Sequence, residues 1–135
     1  MTEHRINLVG GRDGEFGVLT AEKEGETCSL SFLVRGKRHN SSSSDFFETF
    51  CQIRRELESD FLIPFCYAAS LNVYPSRMSR QMSSGTVAYV LRMGESAETK
   101  VHIFETGPDV VPASVDQQRL YFDEWLASLT AKPKY

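Results

Sequence analysis

Two arginines three positions apart, Arg77 and Arg80, stand in the segment NVYPSRMSRQMSSG. Guanidinium groups bind phosphates and carboxylates through charge-assisted hydrogen bonds. Pro75 suits the first position of a helical turn, since its ring presets the backbone angle and it has no N–H to lose. Side chains three apart on a helix are neighbours, so both guanidinium groups could reach one anion. The segment could therefore hold a phosphate or a carboxylate.

Hydroxyl groups beside these arginines could add hydrogen bonds to the same ligand. The predicted ligand- or partner-binding residues are Tyr74, Ser76, Arg77, Arg80, Ser83 and Ser84. The positive end of a helix near Pro75 would favour an anion as well. The alternative is an exposed helix surface whose arginines pair with nearby Asp or Glu side chains. Because the sequence has no Walker-type or dinucleotide glycine pattern, it does not predict a nucleotide fold.

Cys66 is the candidate for a catalytic nucleophile. If its strand met the predicted strand of His102, with Glu105 three residues later, a Cys–His pair could form. A cysteine in an apolar segment is more often an inert small hydrophobe whose pKa is raised by burial. We therefore predict no catalytic residue.

No metal or cofactor site is predicted either. Metal ligands usually come in tight local pairs, but here cysteines and histidines are scattered and no C-x-x-C occurs. They are Cys28, Cys51 and Cys66, and His4, His39 and His102. An odd number of widely spaced cysteines indicates reduced, buried thiols in a cytosolic protein rather than a disulfide framework.

Two further segments could contact a partner. Val110 and Val111 lie in a loop between prolines, where they either pack inward or form a small exposed patch. On the last predicted helix, Tyr121 with the charged residues Asp116, Arg119 and Glu124 could mark a second partner surface, since tyrosine is common at interfaces.

The bulk composition limits the class of protein. The chain has 135 residues, of which 41% are hydrophobic and 24% charged, as is typical of one globular domain. The formal net charge of −3 predicts no general binding of nucleic acid. No apolar run approaches the roughly 18 residues of a membrane span, and the segment MTEHRINLVGGRDGEFG lacks the apolar core of a secretory signal. We therefore predict a cytoplasmic location and no membrane contact.

Turn residues and alternating side chains predict strands in the first third of the chain. RINLV, FGVLTAE and TCSLSFLVR are candidate strands, and RHNSSSS is either a strand or a loop. In TCSLSFLVR the side chains of Cys28, Leu30, Phe32 and Val34 share one face, as in a half-buried strand.

Asp45, with Glu48 three residues later, predicts the start of an amphipathic helix over residues 45–59. Its apolar residues recur at helical spacing: Phe46, Phe50, Ile53 and Leu57. The outer face is expected to carry the charged residues, Arg54 among them.

The run FLIPFCYAASLNV predicts a buried strand that starts at an edge or a bulge because of Pro64. A short helix, PSRMSRQM, follows. Met78 and Met82, four residues apart, are expected to face the core, while Arg77 and Arg80 reach solvent. TVAYVLRM and KVHIFET predict an antiparallel hairpin.

These elements predict a single α+β domain over residues 1–135, in which 1–15 and 130–135 could fray. It has a mostly antiparallel sheet of about five to six strands, two main helices and one short helix. The last helix begins at Ser114, with Gln117 completing a capping box. The expected core comprises Leu30, Phe32, Phe50, Ile53, Leu57, Val87, Tyr89, Ile103, Phe122, Trp125 and Leu126.

In size, mild acidity and α+β pattern the chain resembles many small bacterial interaction domains, including toxin-immunity proteins. The resemblance covers no motif and transfers no site residue. We predict a small cytosolic, non-enzymatic binding module, immunity- or adaptor-like, that contacts a protein or a second copy of itself. The alternative is a small-ligand or anion-binding domain, or an enzyme, that uses the Arg77/Arg80 segment.

Overall fold

The first third of the chain forms an antiparallel sheet. Its strands are β1 (Thr2–Val9), β2 (Phe16–Glu24), β3 (Thr27–Val34) and β4 (Lys37–Ser43). The two-residue β5 (Ile63–Pro64) pairs with the free side of β1, so the strand order is β4-β3-β2-β1-β5. The computed structural model describes residues 1–130. Because β1 pairs along its length with β2, the N-terminal segment joins the sheet rather than fraying.

A second antiparallel sheet has the strand order β6-β7-β8. These strands are β6 (Val73–Tyr74), β7 (Val87–Val90) and β8 (Thr99–His102), and the helices are α1 (Phe46–Glu58), α2 (Arg77–Met82) and α3 (Val115–Thr130). The predicted α+β class and the β7–β8 hairpin are confirmed, and the described residues form eight strands in two sheets instead of five to six in one. The end of the predicted tail, residues 131–135, lies outside the described residues.

The inner face of the first sheet forms the core with α1. The alternation predicted for β3 is confirmed, since Cys28, Leu30, Phe32 and Val34 are all buried. Helix α1 packs on this face, and the ring of Phe50 meets that of Phe32 edge-on at 5.8 Å between centroids. The predicted helix start is confirmed as well, because Asp45 Oδ1 accepts the backbone N–H of Glu48 at 2.8 Å.

Arg54 lies in the core, which corrects the expectation that it belongs to the outer face of α1. Its side chain is only 2% exposed. Nη1 donates to Ala68 O at 2.8 Å and to Gln118 Oε1 at 2.7 Å, and Nη2 donates to Ala113 O at 3.0 Å. The segments that carry these oxygens close over this side of α1, an arrangement that helical periodicity within α1 cannot reveal.

The run FLIPFCYAASLNV is buried but is not one strand, which corrects a second prediction. Only Ile63–Pro64 and Val73–Tyr74 pair as strands, and a 3₁₀ turn, Tyr67–Ala69, lies between them. Backbone groups of this turn are bonded individually: Tyr67 N–H donates to Glu105 O and Ala68 N–H to Ile103 O, each at 2.9 Å. The backbone N–H and C=O groups of a buried segment need hydrogen-bond partners, but pairing with a neighbouring strand is only one way to provide them.

The predicted core is partly confirmed. Leu30, Phe32, Phe50, Ile53, Leu57, Ile103 and Trp125 are buried. Val87, Tyr89 and Phe122 are only half-buried, and Leu126 is 45% exposed. These exceptions lie in the second sheet and on α3, where Tyr89, Phe122 and Leu126 line a groove in the surface. Within residues 1–130, no helix is long and apolar enough to cross a membrane.

Candidate functional site

Helix α2 buries a single, small side chain within the protein. Ser79 is its only buried residue. Ser76 caps the helix, because its Oγ accepts the N–H of Ser79 at 3.0 Å, and Ser79 Oγ donates to Ser76 O at the same distance. The cap therefore bonds one of the backbone N–H groups at the start of this short helix, that of Ser79.

The methionines of α2 point away from the core, which corrects the prediction that they anchor the helix. Met78 is 66% exposed and Met82 is 80% exposed. Spacing of four residues places two side chains on one face but does not say which face is buried. Exposed Arg77, Met78, Gln81 and Met82 share one side of α2, called the α2 ridge below.

Arg80 is held by an intramolecular ion pair. Its Nη1 donates to Asp45 Oδ2 at 3.0 Å and to Oδ1 at 3.3 Å. Its guanidinium carbon also lies 5.2 Å from the ring centroid of Phe47 and 5.6 Å from that of Tyr74. Arg80 therefore links α2 to the N-terminus of α1. This matches the alternative in which the arginines of this helix pair with nearby acidic side chains.

Arg77 differs from Arg80 in having no such partner. It is exposed, and it makes no ion pair or side-chain hydrogen bond with any of the described residues. It lies between two depressions of the surface and contributes to the wall of both. It is the one predicted site residue whose charge is available to a ligand.

The first depression, the polar groove, encloses about 410 Å³. Its lining residues are Lys23, Glu26, Ser44, Asp45, Arg77, Arg80, Gln81 and Ser84. Since Asp45 neutralises Arg80 and Glu26 opposes Lys23, the groove carries little excess positive charge beyond that of Arg77.

The second depression, the apolar groove, encloses about 210 Å³. It is lined by Tyr74, Pro75, Ser76, Arg77, Tyr89, Leu91, Ala97, Phe122, Trp125 and Leu126. Tyr74 stacks on Phe122 with ring centroids 4.2 Å apart, and Phe122 stacks on Trp125 at 6.0 Å. Trp125 Nε1 donates to Glu95 O at 2.9 Å, so its polar atom is already bonded.

No protein-family model matches this chain, and no curated protein matches it at a significant level. Function must therefore be inferred from its own side chains and their arrangement.

The predicted site residues do not converge on one point. Arg80 and Ser84 line the polar groove, Tyr74 and Ser76 line the apolar groove, and Arg77 lines both. Ser83 lies outside both sets: its Oγ donates to Ser79 O at 2.6 Å and accepts the N–H of Val87 at 3.2 Å. Most of the hydroxyl groups thus shape α2 and its exit instead of forming a binding cluster.

Sequence reasoning missed the residues that other elements bring to the two grooves. Lys23 and Glu26 come from the β2–β3 hairpin, and Ala97 from the loop between β7 and β8. Phe122 and Leu126 were assigned to the core rather than to a groove wall. No local signal marks these residues, since only the packing of α2 between the hairpin and α3 brings them to Arg77.

Cys66 is buried, with no exposed surface. Burial raises the pKa of its thiol to about 11, so it stays protonated at neutral pH. His102 Nδ1 accepts the backbone N–H of Phe104 at 3.2 Å, which occupies one of the nitrogens that a base would use. Among residues 1–130, no three His, Cys, Asp or Glu side chains lie close enough together to hold a metal ion.

The other predicted partner surfaces are largely occupied within the chain. Val110 is buried while Val111 is exposed, so one valine of the loop packs inward and the other lies on the surface. On α3, Asp116 pairs with Arg55 at 3.0 Å, and the hydroxyl of Tyr121 donates to a backbone oxygen. The side chains of Asp116 and Arg119 are exposed, but each already pairs with an opposite charge, Arg55 and Asp123 respectively.

Proposed function

We propose that the chain is a non-enzymatic binding module that contacts a protein partner through the α2 ridge. The observation that carries the proposal is an arginine that pairs with none of residues 1–130, Arg77, beside two exposed methionines on the same helix face. Methionine is flexible and polarizable, so it adapts to an apolar partner surface. A free guanidinium adds a charge-assisted bond to a partner carboxylate.

Shape and charge favour a protein over a small ligand. Pockets for drug-sized ligands usually enclose about 300–1,000 Å³ and bury most of the ligand. The apolar groove, at about 210 Å³, is smaller than that. The polar groove reaches about 410 Å³, but Glu26 and Asp45 offset most of its positive charge. The α2 ridge, in contrast, projects between the grooves, where a protein surface can reach it.

The proposed module is cytosolic and immunity- or adaptor-like. Support for a reducing compartment comes from its three cysteines, Cys28, Cys51 and Cys66, which are all buried and free. Size and α+β architecture are in keeping with small bacterial interaction domains. A second copy of the chain is included among the possible protein partners.

Affinity capture from native lysate with quantitative mass spectrometry tests the proposal. The test variant is Arg77→Ala/Met78→Ser/Met82→Ser, which removes the charge and both exposed methionines of the ridge. Arg92→Ala/Met93→Ser is the matched control, because these residues are exposed in the loop between β7 and β8. We expect a stoichiometric partner that the control retains and the ridge variant loses. Retention by the ridge variant, or equal loss in the control, contradicts the proposal.

Binding of a small anion is the second candidate function, because both arginines line the polar groove. Lys23 and Arg77 would supply the charge, since Arg80 is shared with Asp45. A thermal-shift series with inorganic phosphate, nucleotides and small carboxylates tests this candidate. It requires a rise in Tm that the Lys23→Ala variant loses.

A further inference from the structure

We infer that the apolar groove is an anchor site for one large apolar side chain of the partner, with an acidic partner residue beside it bound by Arg77. The inference rests on the proposed function and specifies its chemistry: an aromatic or long aliphatic residue next to an Asp or Glu. The partner would then be recognised by a pocket and an adjacent charge rather than by a flat apolar surface.

The size of the groove decides in favour of a single side chain. A cavity of about 150 Å³ lined by apolar residues holds a benzene molecule. The apolar groove, at about 210 Å³, is large enough for one ring and too small for a typical cofactor or drug-sized ligand. Interfaces concentrate their binding energy at such buried aromatic or aliphatic anchors.

The walls of the groove are apolar and already ordered. Tyr74 is fixed from two sides, since it stacks on Phe122 and meets the ring of Phe47 at 5.1 Å, edge-on. Trp125 Nε1 and Ser76 Oγ, two polar atoms of the lining residues, are bonded to Glu95 O and Ser79 N–H. A pre-formed apolar wall loses little side-chain entropy on binding, which favours affinity.

Charge at the groove selects the partner. Among the described residues that line the groove, Arg77 is the only charged one; it is exposed and forms no ion pair with them or with the rest of the described chain. A carboxylate next to the anchor side chain would satisfy it, whereas a lysine or arginine there would be repelled. The groove therefore favours an acidic segment with an apolar residue over a basic or purely apolar one.

Three small probes test this chemistry without knowledge of the partner. They are 3-phenylpropionate, 3-phenylpropanol and 3-phenylpropylamine, which share a ring and differ in charge. Trp125 is the reporter, because it is the only tryptophan in the sequence and lines the groove. Its fluorescence and the NMR signal of its indole N–H are followed during titration of each probe.

We expect saturable binding of the propionate, weaker binding of the alcohol and the weakest binding of the amine. Replacing Arg77 by Ala should weaken the propionate about two- to fivefold, the range of an exposed ion pair, and leave the alcohol unchanged. Arg92→Ala is the matched control and should change neither.

Two groove variants separate binding at the anchor site from binding elsewhere on the surface. Ala97→Leu fills the groove, and Leu126→Glu places a negative charge at a residue that is already exposed. Both variants should abolish propionate binding. Because Leu126 is exposed, Leu126→Glu should fold normally, and it provides the test if Ala97→Leu does not fold. The inference is overturned if no probe changes the Trp125 signals, if the amine binds as well as the propionate, or if Leu126→Glu binds normally.

The outcomes also distinguish this inference from the proposed function. If the ridge variant loses its partner while the probes do not bind and Leu126→Glu retains the partner, the binding module stands and the anchor site is wrong. If the probes bind as expected but no protein depends on the ridge, the groove is a small-molecule site and the proposed function fails.

Discussion

Arg80 Nη1 lies 3.0 Å from Asp45 Oδ2, and this ion pair joins α2 to the N-terminus of α1. The same carboxylate caps α1 through the N–H of Glu48. Arg77, three residues earlier in the chain, has no comparable contact with the described residues. Two arginines that look equivalent in the sequence therefore have different roles, one structural and one available for binding.

Substitution of these arginines should separate the two roles by stability. Arg80→Ala leaves the buried carboxylate of Asp45 without its cation, and we expect the free energy of unfolding to fall by about 1–3 kcal/mol. Arg77→Ala is the matched control in the same helix and should change it by less than about 0.5 kcal/mol. Urea unfolding followed by circular dichroism measures both. Equal losses would show that Arg77 is structural as well.

Gly85 should tolerate no side chain. Its φ is +76°, and a Cβ there would lie 2.7 Å from Asp45 Oδ1. Gly94 has nearly the same φ, +78°, but a Cβ at that position would meet no atom within 4 Å, so Gly94→Ala measures the backbone strain alone. We expect that control to cost about 1–2 kcal/mol and Gly85→Ala to cost clearly more, by urea unfolding. Similar costs would mean that the Asp45 contact relaxes freely.

Buried Arg54 and Gln118 should behave as one unit. Gln118 Nε2 donates to Ala68 O, Ser70 O and Val73 O at 2.8–2.9 Å, and its Oε1 accepts from Arg54. Arg54→Ala should lower the free energy of unfolding by about 3 kcal/mol or more, because Ala113 O and Gln118 Oε1 lose their buried donor. A double-mutant cycle with Gln118→Ala should show coupling of about 0.5–3 kcal/mol.

The adjacent Arg55 provides the control for Arg54. Its ion pair with Asp116 is largely exposed, so Arg55→Ala should change the free energy of unfolding by less than about 1 kcal/mol. Two results would contradict a stabilising role of the buried network. One is that the effects of Arg54→Ala and Gln118→Ala on the free energy of unfolding are additive. The other is that Arg55→Ala lowers this free energy as much as Arg54→Ala does.

The thiols should be unreactive in the folded protein. Burial raises the pKa of Cys51 and of Cys66 to about 11, and that of Cys28 is raised as well, also by burial. A pKa about two units above its usual value lowers the thiolate fraction roughly 100-fold at neutral pH. We expect iodoacetamide to modify all three cysteines in urea and none at a comparable rate in buffer, by mass spectrometry. A Cys66 that reacts as fast as free cysteine would revive its role as a nucleophile.

Stability should fall on mild acidification because of His4. Its pKa is lowered from 6.5, first by burial and then by His102, while Glu105 acts in the opposite direction. A lowered histidine pKa means that protonation favours the unfolded chain, so stability is complete above pH 6.5 and falls as the pH drops below it. Lys23 and Phe104 line the same cavity as His4 and offer it no counter-charge.

A histidine variant measures that contribution. Urea unfolding at about pH 8 and about pH 5.5, on either side of the usual histidine pKa, should show a smaller loss of stability for His4→Gln than for the unaltered protein. Parallel losses would assign the pH dependence to other groups.

Local signals predicted much of the fold correctly. The capping pairs Asp45–Glu48 and Ser114–Gln117 start α1 and α3 as expected. Ser114 and Gln117 bond each other in both directions, whereas in the first pair only Asp45 Oδ1 accepts the N–H of Glu48. Caps and strand alternation act within a few residues, so the sequence around them is sufficient. The run FLIPFCYAASLNV was wrong as a strand because burial alone does not determine how backbone groups are bonded.

The candidate site was only partly predictable for the same reason. Spacing placed Met78 and Met82 on one face of α2, and Arg77 beside Arg80, without indicating which neighbour each would meet. Asp45 is 35 positions from Arg80 in the chain, and Trp125 is 48 positions from Arg77. No periodicity connects residues at such separations.

By itself, the sequence determined the α+β class, the helix starts, the buried face of β3 and the concentration of arginine, serine and methionine in one short segment. Only the tertiary structure decided that Ser79 faces inward, that Asp45 neutralises Arg80 and that Arg77 stays free beside an aromatic groove. Local elements follow from hydrogen bonds and side-chain periods within a few residues. The state of each charge depends on which distant segment packs against it.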